Sequence, residues 1–377
     1  MENYDLVIFG GGIFGSYGAL FFARKGLRVC LVEREAELMQ KASVVNQARL
    51  HSGYHYPRSI TTAQTANDFK KRFIDDHQPF INATFKQYYA IDKYGSFTDA
   101  KSFERFCRFI GIKAEKVRSL PFLNPKRIEA IYITEEYSFD PIMIREYYME
   151  QLRHQKGLVI LTDIAPSHAE QQANHWIVSL KTPRAQEMVI RTPCVINATY
   201  ANINTINTLF NIPPLHLVYE LTEMAFIASP PLKDIGLTIM DGHYCSIMPY
   251  GKADLLSLSS VTYTPHHTSK DQYPAFPCQA QTASCTPQAI AICNLCQQCP
   301  GSNAHKMINQ MYHYIDNQIP LRYIFSMFTV KTKLESSYID DGRPTVIAKC
   351  SDKPFFYCVF AGKINCIYEI ETVLDHV

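Results

Sequence analysis

The chain has 377 residues, which is long enough for two domains and a large buried core. Its formal net charge is +2 and 19% of its residues are charged, so the composition gives no reason to expect nucleic acid as a partner. No apolar stretch approaches the length of a transmembrane helix, the N-terminus reads as a core strand rather than a secretory signal, and the twelve cysteines are scattered. These features predict a cytoplasmic, mostly reduced protein.

A glycine-rich loop joins the first predicted strand to the first predicted helix. The strand covers residues 5–9, the helix covers 16–26, and between them lies Gly10-Gly11-Gly12-Ile13-Phe14-Gly15. A second predicted strand, at 27–32, ends on Glu33. A GxGxxG motif between a strand and a helix, followed by an acidic residue after the next strand, indicates a dinucleotide-binding βαβ unit.

The residues of this unit have separate expected roles. Gly10 allows a tight turn, Gly12 lets a pyrophosphate approach the backbone, and Gly15 lets the helix pack closely on the strand. The helix N-terminus favours the phosphate charge, and Glu33 can accept both hydroxyls of an adenosine ribose. Glu33 would repel the 2′-phosphate of NADP, although Arg34 beside it keeps that alternative open.

Residues 42–59 form a polar and aromatic segment that is too irregular for a helix or a strand. The segment leads into His51-Ser52-Gly53-Tyr54-His55-Tyr56-Pro57. Together with the glycine loop and Glu33, it resembles the D-amino acid oxidase-like (DAO) superfamily of FAD-dependent oxidoreductases. The resemblance is strongest to the L-2-hydroxyglutarate oxidase branch, and it favours FAD over NAD.

The resemblance implies positions along the cofactor for five residues of this segment. Ser43 and Asn46 would lie near the pyrophosphate. Arg49, His51 and Gly53 would run along the isoalloxazine, with Gly53 needed so that the backbone can approach the ring.

His51 and His55 have three alternative roles. In some relatives a histidine near this position carries the flavin covalently, which would require an imidazole against the 8α-methyl group. A histidine beside the ring that acts as a base or an electrostatic element is a second role, and an ordinary near-neutral pKa suits it. The third is a purely structural histidine. We expect a non-covalent flavin.

The next stretch predicts an α+β region inserted into the nucleotide fold, followed by a return to that fold. The predicted elements are a helix at 62–80, a strand at 85–92, a helix at 102–110, a strand at 127–133, a helix at 142–156 and a strand at 158–162. Strands at 176–180 and 188–190 are similar to the small antiparallel addition of these flavoproteins. By resemblance, Ile164 is the match for a backbone contact to adenine.

A strand that begins at Cys194 ends in Asn197-Ala198-Thr199-Tyr200. It is similar to the family's strand ending Asn-Ala-(Thr/Ala)-Gly, which closes over the FAD. Tyr200 stands where the family has glycine. Because tyrosine does not adopt a positive φ cheaply, we expect a different turn here or one that starts at Asn202.

The alternation of apolar and polar residues, together with turn residues, predicts three further segments. They are a strand at 217–226, a hairpin at 238–250 with Asp241-Gly242 at its turn, and a strand at 255–262. In the family such a meander forms the sheet that covers the substrate pocket.

Cys293, Cys296 and Cys299 form a CxxCxxC run, with Cys278 and Cys285 upstream. This spacing is compatible with zinc or an iron–sulfur cluster, with a disulfide or redox relay, or with cysteines that have no chemistry. The run overlaps a helical-looking stretch at 287–298 and lacks a convincing fourth ligand, so we expect no metal.

The C-terminal part contains Arg343-Pro344, a strand at 355–360, and Gly362-Lys363-Ile364 before a last helix. This order resembles the end of the superfamily fold. Arg343 matches a residue that pairs with the substrate carboxylate, a role that suits a planar guanidinium, although a structural salt bridge is the alternative. Gly362 would meet the ribityl phosphate, and Lys363 would lie against the flavin N1–C2 edge or a phosphate.

The sequence thus predicts an α/β fold in which a Rossmann-type FAD-binding domain is interleaved with an α+β substrate domain on a mostly antiparallel sheet. The expected ranges are 1–80, 140–214 and 335–377 for the FAD-binding domain, and 81–139 and 215–334 for the substrate domain. A Cys-rich insertion is expected at about 265–305.

The expected function is oxidation of a small 2-hydroxy acid by hydride transfer to flavin N5, with oxygen or a quinone as the acceptor. Alternatives are an amino acid or secondary amine substrate, a flavin-binding scaffold or redox sensor, and an NAD-linked dehydrogenase. The candidate catalytic residues are His51, His55 and Arg343. The candidate cofactor-binding residues are Gly10, Gly12, Ile13, Phe14, Gly15, Glu33, Arg34, Ser43, Asn46, Arg49, His51, Gly53, Ile164, Asn197, Ala198, Thr199, Gly362, Lys363 and Ile364.

Overall fold

A computed structural model describes residues 1–182, 187–338 and 342–376. The α-helices in these residues are α1 (Ile13–Arg24), α2 (Ile60–His77), α3 (Ala100–Ile110), α4 (Pro141–Arg153), α5 (Ile203–Leu209) and α6 (Ala304–Met311). The 3₁₀ helices are Gln78–Phe80, Tyr200–Asn202, Pro230–Leu232, Pro277–Gln281, Cys293–Leu295, Glu335–Tyr338 and Ile364–His376.

The strands in the described residues are β1 (Glu2–Asn3), β2 (Leu6–Phe9), β3 (Val29–Val32), β4 (Arg49–Leu50), β5 (Ile81–Asn82), β6 (Lys86–Asp92), β7 (Ala114–Val117), β8 (Ile128–Thr134), β9 (Tyr137–Phe139), β10 (Leu158–Leu161), β11 (Ala165–Gln171), β12 (Trp176–Lys181), β13 (Glu187–Thr192), β14 (Cys194–Asn197), β15 (Leu217–Ala228), β16 (Ile235–Met240), β17 (Cys245–Pro249), β18 (Leu256–Ser260), β19 (Pro265–Ser269), β20 (Arg322–Leu334), β21 (Val346–Asp352) and β22 (Phe355–Phe360).

A six-stranded sheet with the order β10-β3-β2-β14-β22-β21 forms the nucleotide part of the fold. Its strands are parallel, except that β21 pairs antiparallel with β22. Every residue of β2, β3 and β14 is buried, as expected for parallel strands covered on both faces. Because parallel strands share one carboxyl edge, the glycine loop after β2, Glu33 after β3 and Thr199 after β14 come together there.

A larger sheet with the order β19-β15-β18-β17-β16-β6-β8-β7 forms the second part, and β20 pairs along the whole length of β15. Its pairings are antiparallel except for β16 with β6. The predicted hairpin is present, with Leu237 opposite Ile247. The strands of the six-stranded sheet lie within residues 1–80, 140–214 and 335–377, and those of the larger sheet within 81–139 and 215–334, whereas the small sheet β4-β9-β5 joins strands from both sets of ranges. The fold is therefore mixed α/β, as the sequence predicts. The division into two domains stays a prediction.

Two local predictions differ from the structure. Residues 287–298 contain no α-helix, only the short 3₁₀ helix Cys293–Leu295. The backbone carbonyls of Gln288 and Ile290 accept hydrogen bonds from side chains, so they do not accept the backbone hydrogen bonds of an α-helix. Tyr200 itself takes the left-handed conformation, with φ 53°, and its hydroxyl accepts a hydrogen bond from the backbone N–H of Thr332 at 3.1 Å. The last helix predicted after Gly362 is present as the 3₁₀ helix Ile364–His376.

None of the helices in the described part of the chain has the length and apolar character needed to cross a membrane.

Candidate active site

A cavity of about 650 Å³ lies between the two sheets. On one side it is lined by residues at the carboxyl ends of β2, β3 and β14. On the other side it is lined by residues of β15, β16, β17, β18 and β20. Its volume is in the range of small-molecule and cofactor sites.

Most of the residues predicted from the sequence line this cavity. They are Gly10, Gly12, Ile13, Phe14, Glu33, Arg34, Ser43, Asn46, Arg49, His51, His55, Ile164, Ala198, Thr199, Arg343, Gly362, Lys363 and Ile364. The remaining three, Gly15, Gly53 and Asn197, do not line it.

The glycine loop has the geometry of a phosphate cradle. A Cβ atom on Gly15 would lie 1.9 Å from the carbonyl oxygen of Gly10, so this residue permits the close packing of α1 on the loop. The backbone N–H of Ile13 donates to Ser43 Oγ at 3.0 Å, and the first turn of α1 contains no acidic side chain. That turn therefore carries no anionic group of its own that would compete with a phosphate.

Glu33 is held in place at the cavity wall by two backbone donors. Its Oε2 accepts from the Gly11 N–H at 2.7 Å and its Oε1 from the Glu35 N–H at 2.9 Å. A fixed carboxylate at this position fits the two hydroxyls of a nucleotide ribose. The cradle and this carboxylate together fit a dinucleotide cofactor.

Gly53 and Asn197 have structural roles in the fold, and their predicted cofactor roles stay predictions. Gly53 adopts φ 100°, and a Cβ atom there would lie 2.9 Å from the carbonyl oxygen of Ala63 in α2, so its small size serves helix packing. Asn197 shapes the turn after β14, because its Oδ1 accepts from Thr199 Oγ1 at 2.6 Å and its Nδ2 donates to Asn207 Oδ1 at 2.8 Å.

Arg49 is buried at the centre of a polar network that the sequence does not reveal. Its Nη1 donates to Glu136 Oε2 at 2.5 Å and to the Tyr89 hydroxyl at 2.9 Å. Its Nη2 donates to Thr238 Oγ1 at 2.9 Å and to Ser246 Oγ at 2.6 Å, whereas Nε has no partner among the described residues. Arg49 thus presents a fixed positive charge at the cavity wall, and Glu136 fixes its orientation.

His51 and His55 lie side by side in the cavity wall, with ring centroids 5.7 Å apart. His51 Nδ1 is 4.0 Å from Glu136 Oε1, which is too long for a hydrogen bond, and it has no hydrogen-bond partner in the described residues. Burial, and then the nearby charges of Lys363 and Arg49, hold the pKa of both histidines well below the ordinary value. Both imidazoles are therefore neutral at pH 7.

Three positive side chains, those of Lys331, Arg343 and Lys363, face the cavity. Among the described residues, neither the Arg343 guanidinium nor the Lys331 ammonium makes a hydrogen bond or a close ion pair. Burial, followed by the charge of Arg343, lowers the pKa of Lys331 to about 8. The Lys363 ammonium lies 4.5 Å from the centre of the Tyr56 ring, and burial lowers its pKa to about 7. These three groups leave a positive charge that an anionic ligand can balance.

Two of the residues that matter here escape the sequence reasoning. Glu136 follows β8 and meets Arg49 only through tertiary folding, so no local motif marks it. Lys331 lies on β20, where it stands opposite Glu220 of β15. Thr329, Lys331 and Lys333 are every second residue of β20, so their side chains lie on the same side of the strand. This spacing is a signal that could have identified a polar, cavity-facing side.

All twelve cysteines are free thiols. Within the described residues no three or more His, Cys, Asp or Glu side chains converge in a way that would hold a metal ion. Cys293 is the member of the CxxCxxC run that lines the cavity.

Comparison with known proteins identifies the family. Residues 5–278 match the DAO family model, described as FAD dependent oxidoreductase. The chain is 25% identical over 369 residues to the FAD-dependent monooxygenase FPY4 of Fusarium mangiferae, covering 98% of this chain and 89% of that protein. It is 26% identical over 129 residues to the aerobic glycerol-3-phosphate dehydrogenase of Staphylococcus saprophyticus, covering 33% of this chain and 23% of that protein.

Solved structures share the fold at low identity. Glycine oxidase from Geobacillus kaustophilus has a TM-score of 0.72 at 14% identity, and the match covers 100% of this chain and 94% of the glycine oxidase chain. The FAD-bound L-α-glycerophosphate oxidase from Mycoplasma pneumoniae has a TM-score of 0.74 at 14% identity, and the match covers 98% of this chain and 93% of the oxidase. With the dinucleotide cradle, these matches show that the chain belongs to the DAO family of FAD-dependent oxidoreductases and uses FAD as its cofactor.

Proposed function

We propose that this oxidoreductase oxidises a small 2-hydroxy acid whose carboxylate pairs with Arg343. The observation that carries the proposal is the pair of cavity cations, Arg343 and Lys331, that have no close partner among the described residues. An anionic substrate would balance them, and the planar guanidinium can hold a carboxylate through two hydrogen bonds. A protonated amine would instead meet like charge in this part of the cavity.

His51 is the proposed proton acceptor for the substrate hydroxyl. Its imidazole is neutral at pH 7 and lines the cavity, so it can take the hydroxyl proton while the adjacent C–H bond is broken. Glu136, 4.0 Å away and buried, is placed to stabilise the imidazolium that results. When bound, FAD supplies the two-electron acceptor for the hydride.

We also propose that the flavin is bound without a covalent link. His51 and His55, the candidate points of attachment, are assigned here to proton transfer and to the pocket wall. Acid precipitation should release the flavin into the supernatant. A yellow pellet whose colour is lost in His51→Ala would contradict this assignment.

Anaerobic titration of the purified holoenzyme tests the substrate class. We expect 2-hydroxy acids to bleach the flavin absorbance, and the matching amino acids and N-methyl amino acids to leave it unchanged. Bleaching by the amines alone would contradict the proposal. A flavin spectrum that stays unchanged with every compound would support a flavin-binding scaffold or sensor. The rate at which air reoxidises the reduced flavin, compared with the rate for a soluble quinone, would identify the class of the acceptor.

A further inference from the structure

Residues 286–293 form a wall of the cavity that lies outside the part of the chain matched by the family model. Gln288, Ala289, Ile290, Ala291 and Cys293 all line the cavity. The segment is folded as a tight turn, with reciprocal backbone hydrogen bonds between Thr286 and Ala289 of 3.2 and 3.0 Å. It lies in the range predicted for the Cys-rich insertion, for which the catalytic proposal provides no role.

The first anchor of this segment is next to Glu33. The carbonyl oxygen of Ile290 accepts hydrogen bonds from Lys41 Nζ at 2.7 Å and from Arg34 Nη2. Glu35 pairs with both cations, at 2.7 Å from Lys41 and 2.8 Å from Arg34. The Ile290 side chain is buried in the same apolar cluster as Val32 and Ile164.

The second anchor comes from the opposite side of the cavity, after β14. The carbonyl oxygen of Gln288 accepts from Asn202 Nδ2 at 3.1 Å and from Thr205 Oγ1 at 3.1 Å. Asn202 and Thr205 are themselves cavity residues. The segment is thus tied to both flanks of the nucleotide end of the cavity.

We propose that residues 286–293 are a clasp over the adenosine half of FAD. The small apolar side chains of Ala289 and Ala291 would pack against the purine, while the anchors hold the clasp closed beside the ribose carboxylate, Glu33. The inference rests on the cofactor binding of the proposed function and extends it, since it assigns retention of FAD to a segment outside the matched family residues. Release of FAD then requires the anchors to break.

Protection of Cys293 from alkylation tests the clasp without a substrate. Apoprotein and FAD-reconstituted protein are treated with N-ethylmaleimide, and the modification of each cysteine is followed by mass spectrometry. We expect FAD to slow modification of Cys293 at least about tenfold and to leave the exposed Cys350 unchanged. Equal reactivity of Cys293 in the two forms would overturn the proposal.

Variants at the start of α5, with a matched control later in that helix, test the anchors. Thr205→Val combined with Asn202→Ala removes both hydrogen bonds to Gln288, and we expect FAD to bind about tenfold more weakly, with faster alkylation of Cys293 in the holoprotein. Thr208→Val is the control, because Thr208 Oγ1 accepts from the Tyr273 hydroxyl at 3.0 Å in a part of the insertion that does not line the cavity.

Weaker FAD binding without faster alkylation of Cys293 would mean that Asn202 and Thr205 contact FAD directly, which would overturn the clasp. An equal loss in Thr208→Val would overturn it as well. Because no substrate is present, either failure leaves the bleaching result for the proposed function standing.

Discussion

Glu136 is a buried carboxylate with three hydrogen-bond donors and a neighbouring imidazole around it. It accepts from Arg49 at 2.5 Å, from the Tyr89 hydroxyl at 2.6 Å and from the Ser52 N–H at 3.1 Å. Its side chain and that of Arg49 are 0% and 1% exposed. A pair this deeply buried is costly to break from one side, because the other charge is left uncompensated.

Glu136→Gln should therefore lower the free energy of unfolding by about 3–5 kcal/mol, measured by urea denaturation of the FAD-free protein. The amide keeps the volume of the side chain and removes the charge that Arg49 needs. Glu135→Gln, at the exposed neighbouring position, should change the free energy of unfolding by less than about 0.5 kcal/mol. Equal stability of the two variants would contradict the importance of the buried pair.

Arg343→Ala should raise the KM for a 2-hydroxy acid by an amount that corresponds to about 2–5 kcal/mol, because a paired substrate charge is lost. The flavin absorption spectrum should stay unchanged. Arg343→Lys keeps the charge and loses the planar fork, so its KM should fall between those of the wild type and Arg343→Ala. Loss of FAD from Arg343→Ala would instead make Arg343 a cofactor or structural residue.

The turn between β2 and α1 depends on the absence of a side chain at Gly15. Gly15→Ala would place a methyl group 1.9 Å from the Gly10 carbonyl oxygen, which forces α1 away from the phosphate cradle. We expect this variant to lose FAD binding, measured by flavin fluorescence on addition to the apoprotein. Gly301→Ala is the control, because nothing lies within 4 Å of a Cβ atom there. Retention of FAD by Gly15→Ala would show that the cradle tolerates the shift.

Elements coded by local pattern could be predicted, and elements fixed by tertiary contacts could not. The βαβ unit, the capped helix after Asp140 and the hairpin at Asp241-Gly242 all have their signals within a few residues, and the structure contains all three. Residues 287–298 have helical propensity, but their carbonyls are bound by side chains from distant segments. Tyr200, in a conformation that its type disfavours, also has a distant partner, since its hydroxyl accepts a hydrogen bond from β20.

The residues of the candidate site likewise fall into those that a local motif predicts and those that only tertiary contacts bring to the cavity. The sequence identifies residues that line the cavity near the glycine loop, because the motif fixes their spacing. It does not identify Glu136 or Lys331, because their partners are far away in sequence. For Gly53, the left-handed conformation could be expected, but its neighbour is α2, which packs there only in the folded chain.

Across the whole molecule, the low pKa values of Lys363 and Lys331 couple ligand binding to protons. At pH 8, Lys363, with a pKa of about 7, is mostly neutral, and Lys331, with a pKa of about 8, is half protonated. Lys331 belongs to the proposed substrate site, whereas Lys363 is a candidate cofactor contact. Bound FAD, which is anionic, stabilises the Lys363 ammonium and raises its pKa, so FAD binding should take up protons, of the order of one per molecule.

Calorimetric titration of the apoprotein with FAD at pH 8 in Tris and in phosphate measures this uptake. The two buffers differ in ionisation enthalpy, and the protons that the protein takes up come from the buffer. The observed binding enthalpy should therefore be more positive in the buffer with the larger ionisation enthalpy. Lys363→Met should reduce the difference. Identical enthalpies in the two buffers would show that Lys363 does not change protonation on FAD binding.

The position of β22 between β14 and β21 has a consequence for synthesis of the chain on the ribosome. When β2, β3 and β14 have been made, the edge of β14 that pairs Val195 with Phe356 still lacks its neighbour. The remaining strands of the larger sheet are translated before that neighbour emerges. From the completion of β14 at Asn197 until Phe355–Phe360 is made, the nascent parallel sheet would have an unpaired apolar edge, and we expect stable FAD binding only after β22 is added.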